Sequence, residues 1–211
     1  MSATPQNTGT SHGRPPTVYI VDDDQAVRRA MELLMQSVGL NHEIFHSADE
    51  FLAGHSNERA GCLVLDIRMP GLGGLELQEK LNELGSTLPI IFITGHGDVP
   101  MAVEAMQKGA VDFIQKPFRD QELLDQVSEA LKTDAARRTA RDQKAAVTER
   151  LGKLTRRERE VMDLVVTGKP NKVIAYELGV SQRTVEIHRA RVMEKMEARS
   201  LADLVRMHLA V

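Results

Sequence analysis

Asp66 stands at the end of Cys62-Leu63-Val64-Leu65, an apolar run that begins after Gly61 and leads into Ile67-Arg68-Met69-Pro70-Gly71. The run reads as a short buried strand, and Pro70-Gly71 turn the chain before a helix can start. A carboxylate in that position lies at the C-terminal edge of an α/β sheet, where such sheets bind ligands. Three further runs end on groups suited to the same chemistry. Thr17-Val18-Tyr19-Ile20-Val21 stops at Asp22-Asp23-Asp24, Pro89-Ile90-Ile91-Phe92-Ile93 stops at Thr94, and Val111-Asp112-Phe113-Ile114 leads to Lys116. Two acids, an acid, a hydroxyl and an ammonium on one sheet edge suit the transfer of a phosphoryl group to Asp66. A divalent cation, Mg²⁺ or Mn²⁺, is needed to neutralise the phosphoryl oxygens. Asp23 is the expected direct ligand, Asp22 acts directly or through water, and Asp66 with the Arg68 carbonyl completes the protein side. Lys116 supplies a point cation and Thr94 a hydrogen bond.

Other readings of these residues bear on the assignment. Asp22 to Asp24 also suit the N-terminus of a helix, where acids are favoured by the helix dipole. A hydrolase with an aspartate nucleophile would carry a second acid two residues on, where Arg68 stands. Gly71-Leu72-Gly73-Gly74 lacks the spacing of a nucleotide-binding loop. His96 either tunes hydrolysis of a phosphorylated Asp66 or is a solvated loop histidine.

The elements that must hold these groups alternate. Helices are expected over Gln25 to Val38, from Ser47 with its capping-box spacing to Glu50, after Gly73-Gly74, from Pro100 to Gly109, and from about Asp120. The helix from Pro100 holds Val103 and Met106. Five apolar strands alternating with five helices imply a parallel sheet covered on both faces.

Composition divides the chain. Apolar residues make up 42% and charged residues 27%, a globular balance, and no apolar run approaches the ~18 residues of a membrane span. Met1 to Pro16 carries one charge, Arg14, and reads as a disordered tail, neither signal nor transit peptide. Cys62 has no internal disulfide partner and reads as a buried, inert thiol. The cytoplasm is the expected compartment. Residues 17–132 hold nine Lys and Arg against nineteen Asp and Glu, a net of −10, whereas residues 151–211 hold twelve against eight, a net of +4. The acidic module suits a cation and the basic one a polyanion. Between them, residues 133–150 are rich in helix formers and read as a helical linker, with a frayed coil as the alternative.

The last module begins with Thr155-Arg156-Arg157-Glu158, a capping box. Further helices are expected from Asn171, from Gln182 to Met196 with Ser181 as N-cap, and from Ser200. The two helices joined by Gly179-Val180-Ser181 form a helix-turn-helix candidate. Opposite the Val185, Val192 and Met196 stripe, the second helix offers Arg183, Glu186, Ile187, Ala190 and Arg191, with His188 and Lys195 on the flanks. Such a surface suits a DNA major groove. Ser181, Thr184 and the helix N-terminus can hold phosphates, Glu186 can accept from a cytosine amino group, and Ile187 can touch a thymine methyl.

Residues 17–132 resemble the response-regulator receiver family. The resemblance is carried by Asp22-Asp23, Asp66 with Met69-Pro70-Gly71, Thr94 and Lys116-Pro117-Phe118. It implies strand order 2-1-3-4-5, a cis Lys116–Pro117 peptide and phosphorylation of Asp66 by a sensor histidine kinase. It also implies a switch in which the Thr94 hydroxyl moves toward the phosphate and Phe113 follows inward. Enzymatic activity is then limited to Mg²⁺-dependent self-phosphorylation and autodephosphorylation. Residues 151–211 resemble the LuxR-type effector domain, especially the FixJ-like subgroup. That resemblance rests on Leu154-Thr155-x-Arg157-Glu158, Asn171-Lys172-x-Ile174-Ala175 and the stretch from Ser181 through Arg183 to Ala190. It implies a four-helix DNA reader acting as a dimer, in which Thr184, His188 and Arg191 touch backbone and Glu186, Ile187 and Ala190 face bases. A basic residue often stands in that family where Glu186 stands here, which changes the expected site sequence. The implied partners are the kinase, double-stranded DNA, a second copy of the chain upon phosphorylation and RNA polymerase, with no membrane. The alternative output is RNA or protein binding.

Overall fold

The computed structural model describes residues 15–95 and 99–210. Most of the expected tail 1–16 and His96 therefore lie outside the described residues. Among them the chain forms β1 (Thr17–Val21), α1 (Gln25–Ser37), β2 (Asn41–Phe45), α2 (Ala48–Ala53), β3 (Gly61–Asp66), α3 (Gly74–Glu83), β4 (Ile90–Thr94), α4 (Val99–Gln107) and β5 (Asp112–Gln115). Then follow α5 (Asp120–Gly152), α6 (Arg156–Val166), α7 (Asn171–Leu178), α8 (Gln182–Lys195) and α9 (Leu201–Leu209). The fold is an α/β unit with a five-stranded sheet, linked by the long helix α5 to an all-α unit of four helices. The chain divides into two compact units between Arg137 and Arg138.

The sheet is parallel, in the order β2-β1-β3-β4-β5. Side chains alternate across each strand, so each strand feeds two cores. Tyr19, Val21, Leu63, Leu65 and Phe92 pack with Phe51, Leu77, Leu81 and Ala105 on one face. Val18, Ile20, Cys62, Val64, Ile91, Ile93 and Ile114 pack with Met31, Met35, Leu123, Val127 and Ala130 on the other. Burial in this second core pushes the Cys62 thiol up to about 12, with the Asp134 charge adding to the shift, so the thiol is inert as expected.

Helix starts follow local chemistry. The Asp24 carboxylate accepts the Ala26 and Val27 N–H groups and caps α1, Ser47 caps α2, Ser181 caps α8 and Ser200 caps α9. Thr155 and Glu158 form the expected capping box at α6. At α2 the Glu50 carboxylate reaches one residue further back, to the His46 N–H at 2.8 Å.

One boundary needs correction: α1 ends at Ser37 rather than at Val38, which is exposed. On α4, Val103 and Met106 are exposed, Ala102 and Ala105 are buried, and Met101 is partly buried against the core. The helical linker expected over 133–150 is present, as part of one 33-residue helix. At one end the Asp134 carboxylate accepts the Gly61 N–H at 2.9 Å, and at the other Val147 and Leu151 belong to the core of the second unit. That core also holds Val161, Met162, Val165, Ile174, Val185, Val192, Met196 and Leu204.

Candidate functional site

Strand register brings the chemical groups together. Val21 pairs with Leu65, Asp66 with Ile93, and Thr94 with Gln115. Asp22, Asp66, Thr94 and Lys116 therefore stand side by side where β1, β3, β4 and β5 end. The Lys116 ammonium donates to Asp22 Oδ2 and to Asp66 Oδ1, each at 2.8 Å. The Lys116–Pro117 peptide is cis. Asp22, Asp66 and Thr94 are all buried, while Asp23 is exposed beside them.

The other carboxylate oxygens are held by the backbone. Asp22 Oδ1 accepts the Asp24 N–H at 2.8 Å, and Asp66 Oδ2 accepts the Arg68 N–H at 3.2 Å. Burial raises the Asp66 pKa, and the charges of Asp22 and Asp23 add to that rise against the pull of Lys116. Burial alone would lower the Lys116 pKa, but its bonds to Asp22 and Asp66 outweigh burial and raise it. The pocket thus holds three carboxylates against one ammonium, a hard-oxygen donor set with excess negative charge that fits a divalent cation in kind. Among the described residues, however, no three Asp, Glu, His or Cys side chains converge as a ready-made metal cluster. Lys116 draws Asp22 and Asp66 to itself instead.

The Thr94 hydroxyl donates to the Gly95 carbonyl at 3.1 Å, and Phe113 on β5 is 40% exposed. Thr94 is thus buried with its hydroxyl on a neighbouring carbonyl, while Phe113 is exposed. Two supporting residues escaped the sequence reading. Arg28 Nη1 donates to the Asp22 carbonyl at 2.6 Å, and nothing in the α1 periodicity marks that reach. Gly74 opens α3 so close to β3 that a Cβ there would lie 2.3 Å from the Asp66 carbonyl oxygen. The Gly73-Gly74 pair was visible as a turn, but only the packing reveals the close approach.

In the second unit, α7 ends at Gly179 in the left-handed conformation, φ 65°. Ser181 Oγ accepts the Thr184 N–H at 3.1 Å and lies 2.8 Å from the Thr184 hydroxyl. Arg189 donates to Asn171 Oδ1 at 3.0 Å and ties α8 to α7. Ile187, Ala190 and Arg191 are exposed, and Glu186 is half-buried, 3.5 Å from Arg183. His188 is half-buried as well, and no protein group reaches its buried Nδ1. The Lys195 ammonium donates to Glu158 Oε2 at 2.7 Å and to the Lys153 carbonyl at 3.1 Å, so it is committed within the unit.

Comparison with known proteins follows this division. Residues 18–128 match the family described as "Response regulator receiver domain". Residues 152–208 match the family described as "Bacterial regulatory proteins, luxR family". Nodulation protein W of Bradyrhizobium diazoefficiens is 52% identical over 190 residues, covering 90% of this chain and 84% of that protein. Transcriptional regulatory protein FixJ of Rhizobium meliloti is 48% identical over 194 residues, covering 92% and 95%. Among solved structures, response regulator StyR aligns with a TM-score of 0.86 at 45% identity, covering 94% of this chain and all of that one. Full-length FixJ from B. japonicum aligns with a TM-score of 0.57 at 41% identity, covering 92% and 96%.

Proposed function

Because this chain belongs to the two-component response regulators that join a receiver domain to a LuxR-type DNA-binding domain, and so regulates transcription in a phosphorylation-linked manner, we propose that Asp66 is its phosphoryl acceptor. The observation that carries this assignment is the Lys116 bridge to Asp22 and Asp66 at the ends of adjacent parallel strands. Asp66 forms the new bond to phosphorus through a carboxylate oxygen, and the donor's leaving group departs with the electrons of the broken bond. The donor is the phosphohistidine of a sensor kinase or a small acyl phosphate. Asp22, Asp23, Asp66 and the Arg68 carbonyl would hold Mg²⁺ or Mn²⁺, which when bound supplies charge neutralisation for the phosphoryl oxygens. Lys116 carries the remaining anionic charge, and Thr94 donates to a phosphoryl oxygen once its hydroxyl leaves Gly95. Catalysis ends with self-phosphorylation and autodephosphorylation.

The output follows from α8. Ser181, Thr184, His188 and Arg191 contact DNA phosphates, and Glu186, Ile187 and Ala190 face base edges. Lys195 is left out because Glu158 holds it. Phosphorylation brings Phe113 inward and favours a dimer, so that two readers bind paired half-sites and gain by avidity. A shift from ~1% to ~99% active needs roughly 5.5 kcal/mol of differential stabilisation. The working compartment is the cytoplasm, where the DNA lies, and RNA polymerase is the downstream partner. We assign the acceptor domain to residues 17–137 and the reader to residues from 138 onward, where the two cores divide α5.

Intact mass measured with Mg²⁺ and acetyl phosphate on the wild type and on Asp66→Asn, with light scattering on the same samples, tests the reading. A phosphoryl adduct on the wild type alone, with a shift to dimer, is expected. An equal adduct on Asp66→Asn removes Asp66 as the acceptor.

A further inference from the structure

Helix α4 is held in an unusual way. Its fully buried residues are Ala102 and Ala105, Met101 packs partly buried against the core, and Val103 and Met106 are exposed. Alanine buries little apolar area, so the two fully buried positions add little hydrophobic grip. Polar contacts from α3 supply the grip. Gln78, 1% exposed, donates through Nε2 to the Ala105 carbonyl at 3.0 Å. Asn82 donates to the Lys108 carbonyl at 3.1 Å, and the Lys108 ammonium pairs with Glu79 at 2.5 Å.

Gln78 carries an anomaly. Its Oε1 is closed to solvent, and no protein group donates to it. The amide cannot be turned over, because Oε1 would then face the Ala105 carbonyl oxygen. Buried side-chain oxygens are nearly always satisfied, and one that is not costs as much as several ordinary contacts gain. The Ala105 carbonyl does not depend on Gln78, since it also accepts the Ala110 N–H at 3.0 Å. Gln78 therefore makes one replaceable hydrogen bond while leaving its own oxygen stranded between two helices.

We propose that Gln78 is a positioning residue of the phosphorylation switch: its amide catches α4 in the position seen here, and the penalty stored on its carbonyl oxygen is released when α4 moves. The proposal rests on Asp66 being the phosphoryl acceptor. It names the residue that makes α4 easy to displace, and it places the stored penalty on α3, away from the acid pocket itself.

The test uses the full chain labelled with ¹⁵N. The Gln78 side-chain amide signal is assigned by its loss in Gln78→Met and followed as Mg²⁺ and acetyl phosphate are added to the wild type. It is expected to move as its bond to Ala105 is lost. In parallel, duplex DNA affinity is measured with and without acetyl phosphate. Gln78→Met removes both the catch and the stranded oxygen, so its phosphorylation-driven gain in affinity should fall about tenfold below that of the wild type. A lowered melting temperature with an unchanged gain would mean a merely structural role and would overturn the proposal. So would a Gln78 signal that stays still while other receiver signals shift. If nothing in the wild-type receiver responds, the acceptor reading falls and the proposal falls with it.

Discussion

Lys116 is the residue on which the acid pocket turns, since it bridges Asp22 and Asp66 through bonds of 2.8 Å. Its place was legible in sequence because parallel register converts four strand ends into four neighbours. Gly74 was not, since a glycine before a helix looks like any other turn. Gly74→Ala would drive a methyl against the Asp66 carbonyl. We expect it to destabilise the receiver by about 1–3 kcal/mol and to slow phosphoryl incorporation, read by denaturant melts and intact-mass time courses. The partner of Lys195 was hidden for a related reason. Periodicity gives the angle of a side chain around its own helix but not the partner waiting on another element. Its bond does most to hold the Glu158 carboxyl down at about 2 against an ordinary 4.5. A depressed carboxylate stabilises the fold above its unfolded pKa, and that stability is lost as pH falls through the window from 4.5 to about 2. Melts of the wild type should show this loss across that window, and Glu158→Gln should flatten it. Lys195→Ala at neutral pH should cost about 2 kcal/mol of stability, because it strips the ammonium from a buried carboxylate. It should leave the salt dependence of DNA binding unchanged.

At the scale of elements, helix starts were the most legible features, because a cap is a local bargain between one side chain and the next turn. Thr155 and Glu158 satisfy each other's backbone N–H groups at 3.3 and 2.8 Å. Thr155→Ala should lower the stability of the second unit by about 1 kcal/mol, measured by thermal melts, with Thr155→Ser restoring most of it. Helix α4 was legible as a helix but not in its facing. Val103 and Met106 are exposed, and Ala102, Ala105 and the partly buried Met101 set the inward side. Helix α5 was expected as a long helix leaving the receiver and running on as a helical linker, with a frayed coil as the alternative. Tertiary ties at Asp134 and at Val147 and Leu151 anchor it where propensity alone was marginal.

For the whole molecule, charge divides as function does. The net of −10 over residues 17–132 suits a cation, and the net of +4 over residues 151–211 suits a polyanion. Duplex binding should therefore weaken steeply with salt, and Arg191→Ala should reduce that slope by about one unit across all sequences. An unchanged slope would take Arg191 off the phosphate contacts. Composition made this division legible, but the position of the seam was not. The seam lies inside α5, where residues 139–145 are exposed between segments committed to separate cores. An exchange of one output module for another would leave both cores whole if its junction fell within those few residues. A break at residue 151 would have left Val147 behind with the old partner, and the transplanted reader would have arrived with a hole in its core.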